Sequence, residues 1–278
     1  MLFAAEAVGM EAFPWHVHPE VIGIIVALVG GYWYAMRRLA LRYAEPGEPP
    51  ASRRQVAWFI VAVVSFALVQ ATPIHDIGEG SLYSVHMVEH LVLTLVFSPA
   101  LLKGTPAWLM RLLLRPFMPV VRGLTKPVVA FILFNLMIAI THIPGVVTAV
   151  VTSELAHFSI HLGLVMTALL MWWPVVGPLP EIPKLRPFSA MGYLFLQSLV
   201  PTIPASFLTF ADDAVYRVYT QLPKLWGVDV VTDQTVGGLI MKVGGGAILW
   251  SAIAVIFFTW AADEERASRL RTGRAVAP

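Results

Sequence analysis

Seven stretches of this chain are long and apolar enough to cross a membrane, and no other feature constrains its fold as strongly. A hydrocarbon core about 30 Å thick needs about 20 mainly apolar residues in a helix, because backbone groups in lipid must be satisfied within the segment. The runs fall at about 19–37, 55–73, 82–102, 126–142, 153–173, 188–210 and 235–261. Of the 278 residues, 58% are hydrophobic and 13% charged, against roughly 25% charged in an ordinary soluble domain. The chain therefore reads as one all-α integral membrane domain, residues 1–278, and not as two soluble ones. There is no cysteine, which excludes disulfides and thiolate metal sites. The first twenty residues carry Glu6 and Glu11 but no Lys or Arg, unlike the basic start of a cleaved signal peptide.

The basic residues orient the helices. Arg37, Arg38, Arg42, Arg53 and Arg54 lie between the first two runs; Lys103, Arg111, Arg115, Arg122 and Lys126 follow the third. Lys184 and Arg186 precede the sixth, and Arg266, Arg269, Arg271 and Arg274 follow the seventh. If seven helices alternate, these share one side, and only Arg217, Lys224 and Lys242 fall elsewhere. The positive-inside rule then places the N-terminus outside and the C-terminus in the cytoplasm. No nucleic-acid partner is expected. Residues 104–125 set Trp108, Leu109, Leu112, Leu113, Phe117 and Val120 between arginines, as in a cytoplasmic interfacial helix broken at Pro116 and Pro119. Residues 211–234 form an outer loop with Tyr216, Tyr219 and Trp226. Pro201 and Pro204 should kink the sixth helix, with Thr202 and Ser206 bonding freed carbonyls. Gly237, Gly238, Gly244, Gly245 and Gly246 should admit a close neighbour to the seventh.

On this topology all eight histidines lie outside or in the outer half of the membrane. His16 and His18 precede the first helix, His75 follows the second, and His142 ends the fourth. His86 and His90 are i,i+4 in the third helix, as are His157 and His161 in the fifth, so each pair projects from one face. Counting about 1.5 Å per residue, the first member of each pair lies about one turn deep and the second about two. Intramembrane ionisable residues are functional candidates by default, and imidazole suits Cu, Zn, Fe and Ni. Thioethers add a preference for Cu(I); Met87, Met137, Met166 and Met241 are near this layer, with Met241 singled out. His16 and His18 read as a mobile capture site or a helix-cap detail, and His75 as a local hydrogen bond or a ligand. Glu89 and Lys242 match in depth and should form an ion pair between the third and seventh helices, with Glu89 turned away from the histidines. Asp233 and Gln234 read as an N-cap or as partners orienting a histidine.

The segments SVHMVEHLVLTLVFSPALLKGTPAWL, THIPGVV, HFSIHLGLVMTALLMWWPVVGPLP, YLFLQSLVPTIPASFLTF and DQTVGGLIMKVGGG resemble, in order, motifs of the CtaG-like cytochrome c oxidase assembly factors. The resemblance runs from about Trp15 to about residue 261. It implies seven helices in a bacterial inner (plasma) membrane and a role in supplying or inserting copper into a haem–copper oxidase. The implied partners are the oxidase subunits, an extracytoplasmic copper chaperone and the lipid bilayer. The implied positions are His86, Met87 and His90 in HMxxH, His142 in THxP, and His157 and His161 in HxxxH. Asp233, Gln234, Met241 and Lys242 in DQxxGGxxMK also match.

The leading expectation is a copper-handling assembly factor, not an enzyme, with copper held by His86, His90, His157 and His161 between the third, fourth and fifth helices. A haem protein with bis-histidine ligation is the main alternative. A metal permease would want polar residues continuing to the cytoplasmic side, where these helices carry few. A zinc hydrolase would want the glutamate of HExxH, and HMVEH has none after its first histidine.

Overall fold

The computed structural model describes residues 16–47 and 49–275; Glu6 and Glu11 lie outside the described residues. Every regular element among them is helical: α1 Pro19–Tyr43, α2 Arg53–Gln70, α3 Pro73–Gly80, α4 Tyr83–Gly104, α5 Ala107–Leu124, α6 Pro127–Thr141, α7 Pro144–Thr152, α8 Glu154–Val176, α9 Pro187–Thr209 and α10 Val230–Arg271. The starts are written in the sequence. Proline occupies the first turn of α1, α3, α6, α7 and α9, where its missing N–H costs nothing. Ser52 and Gln55 close a capping box on α2, Ser153 caps α8, and Asp229 caps α10.

Six of these helices (α1, α2, α4, α8, α9, α10) are long and apolar enough to cross a membrane. The run expected at 126–142 becomes the 15-residue α6, about 22 Å long and short for a 30 Å core. It meets α5 at 89°, and the pair counts as a seventh span only if taken together. The outer faces remain apolar: Val26, Ile60, Ile132, Phe158, Phe207 and Phe258 are all exposed, as lipid-facing side chains must be. The protein is a multi-pass membrane protein.

α4 occupies the centre and packs against α2, α3, α8 and α10. Its histidines sit in the first turns and Lys103 in the last. Lys103, Arg54 and Lys184 line one pocket at that far end. A packed apolar layer of Leu164, Ala168, Met171, Trp172 and Leu194 separates the two ends. α9 breaks after Leu199 and resumes at Thr202, as Pro201 requires. Thr202 Oγ1 donates to the Ser198 carbonyl at 3.1 Å and Ser206 Oγ to the Thr202 carbonyl at 2.7 Å. Of the α10 glycines, Gly237 and Gly238 carry the close approach. A Cβ on Gly238 would stand 2.7 Å from the Ala205 carbonyl, whereas one on Gly246 would meet nothing.

Three spans contain π-turns, Ala35–Leu39 in α1, Val92–Phe97 in α4 and Ile240–Gly244 in α10. A π-turn frees carbonyls from the helical ladder. In α4, side chains take them: Thr94 Oγ1 donates to the His90 carbonyl at 2.6 Å, and Ser98 Oγ to the Leu93 carbonyl at 2.8 Å. Trp172 Nε1 donates to the Thr94 carbonyl at 2.9 Å, fastening the turn to α8.

Candidate metal centre

α4 begins on a carboxylate borrowed from another helix. Asp233 of α10, 3% exposed, accepts the Tyr83 amide at 2.6 Å and the Ser84 amide at 3.1 Å, together with the Ser84 hydroxyl. A negative charge at a helix N-terminus meets the positive end of the dipole, and it fixes the turn from which His86 and His90 project. Asp233 therefore caps α4 and not its own helix. Gln234 accepts the Tyr216 amide and donates to the Tyr216 carbonyl, both at 3.1 Å. Tyr216 Oη donates to the His142 carbonyl at 3.1 Å, so Gln234 positions His142 through that tyrosine.

His86, His90 and His161 are all buried, and a ring nitrogen from each lies within 4.8 Å of the others. His90 Nε2 and His161 Nε2 are 3.2 Å apart. His86 Nδ1 and His161 Nδ1 are buried without a hydrogen-bond partner, a costly state that calls for a ligand or an ion. The edge of a tetrahedron around a metal with M–N bonds of 2.0–2.1 Å is about 3.3–3.4 Å, so the 3.2 Å separation suits two donors of one small ion.

His157, expected beside His161, has its ring centre 4.1 Å from that of His161 and also converges with His75 and Glu79. His75, Glu79 and His157 offer a second set of atoms within 4.8 Å of one another. His157 Nδ1 donates to Glu79 Oε1 at 2.5 Å, and His75 Nε2 lies 3.5 Å from Glu79 Oε2. The short helix α3, expected only as a connection, wedges in at the upper level. Its Gly78 allows this, because a Cβ there would stand 3.0 Å from the His86 amide nitrogen.

Glu89 and Lys242 do not pair. Glu89, fully buried, accepts hydrogen bonds from Gln70 Nε2 and from His75 Nδ1, the latter at 2.8 Å, and its other oxygen is 3.8 Å from His86 Nδ1. It faces the histidines instead of turning away, because α3 and α2 supply its partners from that side. Lys242 is exposed, its ammonium 6.0 Å from the Phe210 ring centre. Lys242→Met is therefore expected to change unfolding stability by no more than about 0.5 kcal/mol, followed by thermal melting in detergent. A loss as large as that of Glu89→Ala would reinstate the ion pair.

His142 donates from Nδ1 to the Ile138 carbonyl at 2.7 Å, leaving Nε2 3.3 Å from Met241 Sδ. These two share a narrow cavity with His90, Thr94 and Met87, and Met87 and Met241 belong to one buried apolar cluster. At the opposite edge, His18 Nε2 lies 3.1 Å from Asp76 Oδ1, and His16 donates its amide to Asp76 Oδ2 at 3.0 Å. Burial raises the carboxyl pKa of both Asp76 and Glu79. Hydrogen bonds from His16 and His18 to Asp76, and from His157 to Glu79, outweigh this and hold both below the ordinary carboxylate value. Glu79 escaped the sequence reading, although the spacing of His75 and Glu79 in HDIGE, i,i+4, was the signal for it.

The histidine geometry can be set beside known proteins. The uncharacterized protein ML1998 of Mycobacterium leprae (strain TN) is 24% identical over 276 residues, covering 86% of this chain and 38% of that protein. The chain thus spans well under half the length of that relative. No solved structure matches. Residues 30–263 match the family described as cytochrome c oxidase caa3 assembly factor (Caa3_CtaG). With most of its length inside that match, the chain belongs to the caa3-type cytochrome c oxidase assembly factor family.

Proposed function

We propose that this assembly factor handles copper as cargo, holding it at His86, His90 and His161 and passing it to a haem–copper oxidase in a bacterial plasma membrane. The observation that carries the reading is the buried trio itself, three converging imidazoles with two ring nitrogens unpartnered. The donor chemistry supports copper: three neutral nitrogens, no thiolate, and a histidine–thioether pair, His142 and Met241, across the adjoining cavity. The cost of burying an ion rises with the square of its charge, so an uncharged ligand set favours Cu+ over a divalent ion. The role is to hold and hand on a metal, without a reaction of its own.

Two features favour this over the alternatives. Axial ligands on either side of a haem iron would place their nitrogens about 4 Å apart, whereas His90 and His161 stand at 3.2 Å. A permeation path would have to pass the apolar layer of Leu164, Met171, Trp172 and Leu194, none more than 3% exposed. The basic cluster at the other end of α4 supports an outward-facing histidine end under the positive-inside rule, within reach of an extracytoplasmic copper donor.

Elemental analysis and an optical spectrum of the purified protein test the reading. Bound copper with no haem Soret band is expected. A Soret band, or protein that takes up no copper when Cu+ is supplied under reductant, would overturn it.

A further inference from the structure

We propose that His75, Glu79 and His157 form a second copper site, through which the ion passes between the protein surface and the three-histidine site. The proposal rests on the copper reading of His86, His90 and His161 and adds a route to it.

Three observations carry it. The first is the orientation of His75. His75 Nδ1 donates to the Glu89 carboxylate at 2.8 Å, which turns Nε2 toward Glu79 Oε2 at 3.5 Å, and His157 converges on the same carboxylate from α8. A carboxylate on one ring nitrogen with the other free is the arrangement that orients metal-binding histidines. The second is position. Side chains with donor atoms run without a gap from the surface to the buried trio. His18 and His75 rings are 4.8 Å apart, His75 and His157 5.3 Å, and His157 and His161 4.1 Å, with His86 6.0 Å from His157. Asp76 stands at the mouth, bonded to His16 and His18. The third is the gradient of ligand type. The mouth holds a carboxylate with two histidines, the intermediate set two histidines and one carboxylate, and the innermost three histidines. Carboxylate oxygen is the harder donor, and Cu+ prefers the softer nitrogen set. The last step inward, from the intermediate set to the trio, therefore exchanges a carboxylate for an imidazole, a weaker ligand for a stronger one, with no change in oxidation state. α3 exists at this level only because Gly78 lets it lie on the backbone of His86.

The full-length protein, stripped of metal and held in detergent, is titrated under reductant with Cu+ presented as its bicinchoninate complex. Both stoichiometry and rate of uptake are read. Wild type should take two ions, and Glu79→Gln, at a half-buried position where the amide preserves shape, should take one and load it at least ten-fold more slowly. His90→Ala/His161→Ala should also take one, and the two changes combined none. Equal stoichiometry and equal rate in wild type and Glu79→Gln would overturn the second site while leaving the three-histidine site standing. Loss of copper in Glu79→Gln with none lost in His90→Ala/His161→Ala would do the reverse. Glu79→Asp, which keeps the charge, should recover part of the lost rate; a rate like that of Glu79→Gln would count against ligation by this carboxylate. Size-exclusion profiles matching wild type show that each variant is folded.

Discussion

His90→Ala/His161→Ala is expected to lower the Cu+ affinity of the purified protein by more than a hundred-fold, read by competition against a chromogenic chelator. Changes to groups that merely orient a ligand cost 10- to 100-fold, and here two of three donors are removed. The stability of the same variants gives a second check. His90 Nε2 and His161 Nε2 face each other at 3.2 Å, so either single alanine strands the partner nitrogen in a buried position, at about 1–3 kcal/mol. Removing both strands neither. The double variant should therefore be less destabilised than the sum of the two singles. Unchanged affinity would remove the trio as a copper site, and strictly additive losses would show that the two rings do not interact.

Asp233→Ala is expected to destabilise the protein by about 3 kcal/mol, the largest stability effect foreseen for a single substitution. Losing an N-cap typically costs about 1 kcal/mol. Here the cap is a buried carboxylate accepting from Tyr83 and Ser84 amides and the Ser84 hydroxyl, and bonds to a charged group contribute about 1.5–3 kcal/mol. All three donors would be orphaned together. Asp233→Asn retains one acceptor and should fall between. Because His86 lies only three residues beyond Tyr83, copper affinity should fall with stability. A loss below about 0.5 kcal/mol in thermal unfolding would mean that the N-terminus of α4 finds other acceptors.

Much of the bundle was legible because a bilayer imposes a length on any apolar run that crosses it, and α2, α4, α8 and α9 begin and end within a few residues of the runs that announce them. α6 was less so: Lys126 and His142 bound an apolar run of the right composition, but the 89° turn against α5 is a matter of packing that hydropathy does not encode. The histidine pairs were legible from their spacing, since i,i+4 places them on one face. Their division between two clusters was not. Depth matched His157 to His86, but depth cannot say that α3 packs against α4 and offers Glu79 to His157. Glu89 and Lys242 failed for a related reason. Equal depth on two helices leaves rotation about each axis undetermined, and Gln70 and His75 hold Glu89 on the side away from α10's lysine.

The π-turn at Val92–Phe97 sets the phase of α4. One extra residue turns everything above it by about 100° relative to everything below, without moving the ends of the span. The face that presents His86 and His90 is thereby uncoupled from the face by which Ala100 and Leu102 pack below. Removing a single residue from this turn would leave a helix of nearly the same length and hydropathy, yet it would swing both imidazoles out of line with His161. Two chains alike in every apolar run could thus differ in whether they can hold an ion at all, by one insertion that composition does not register.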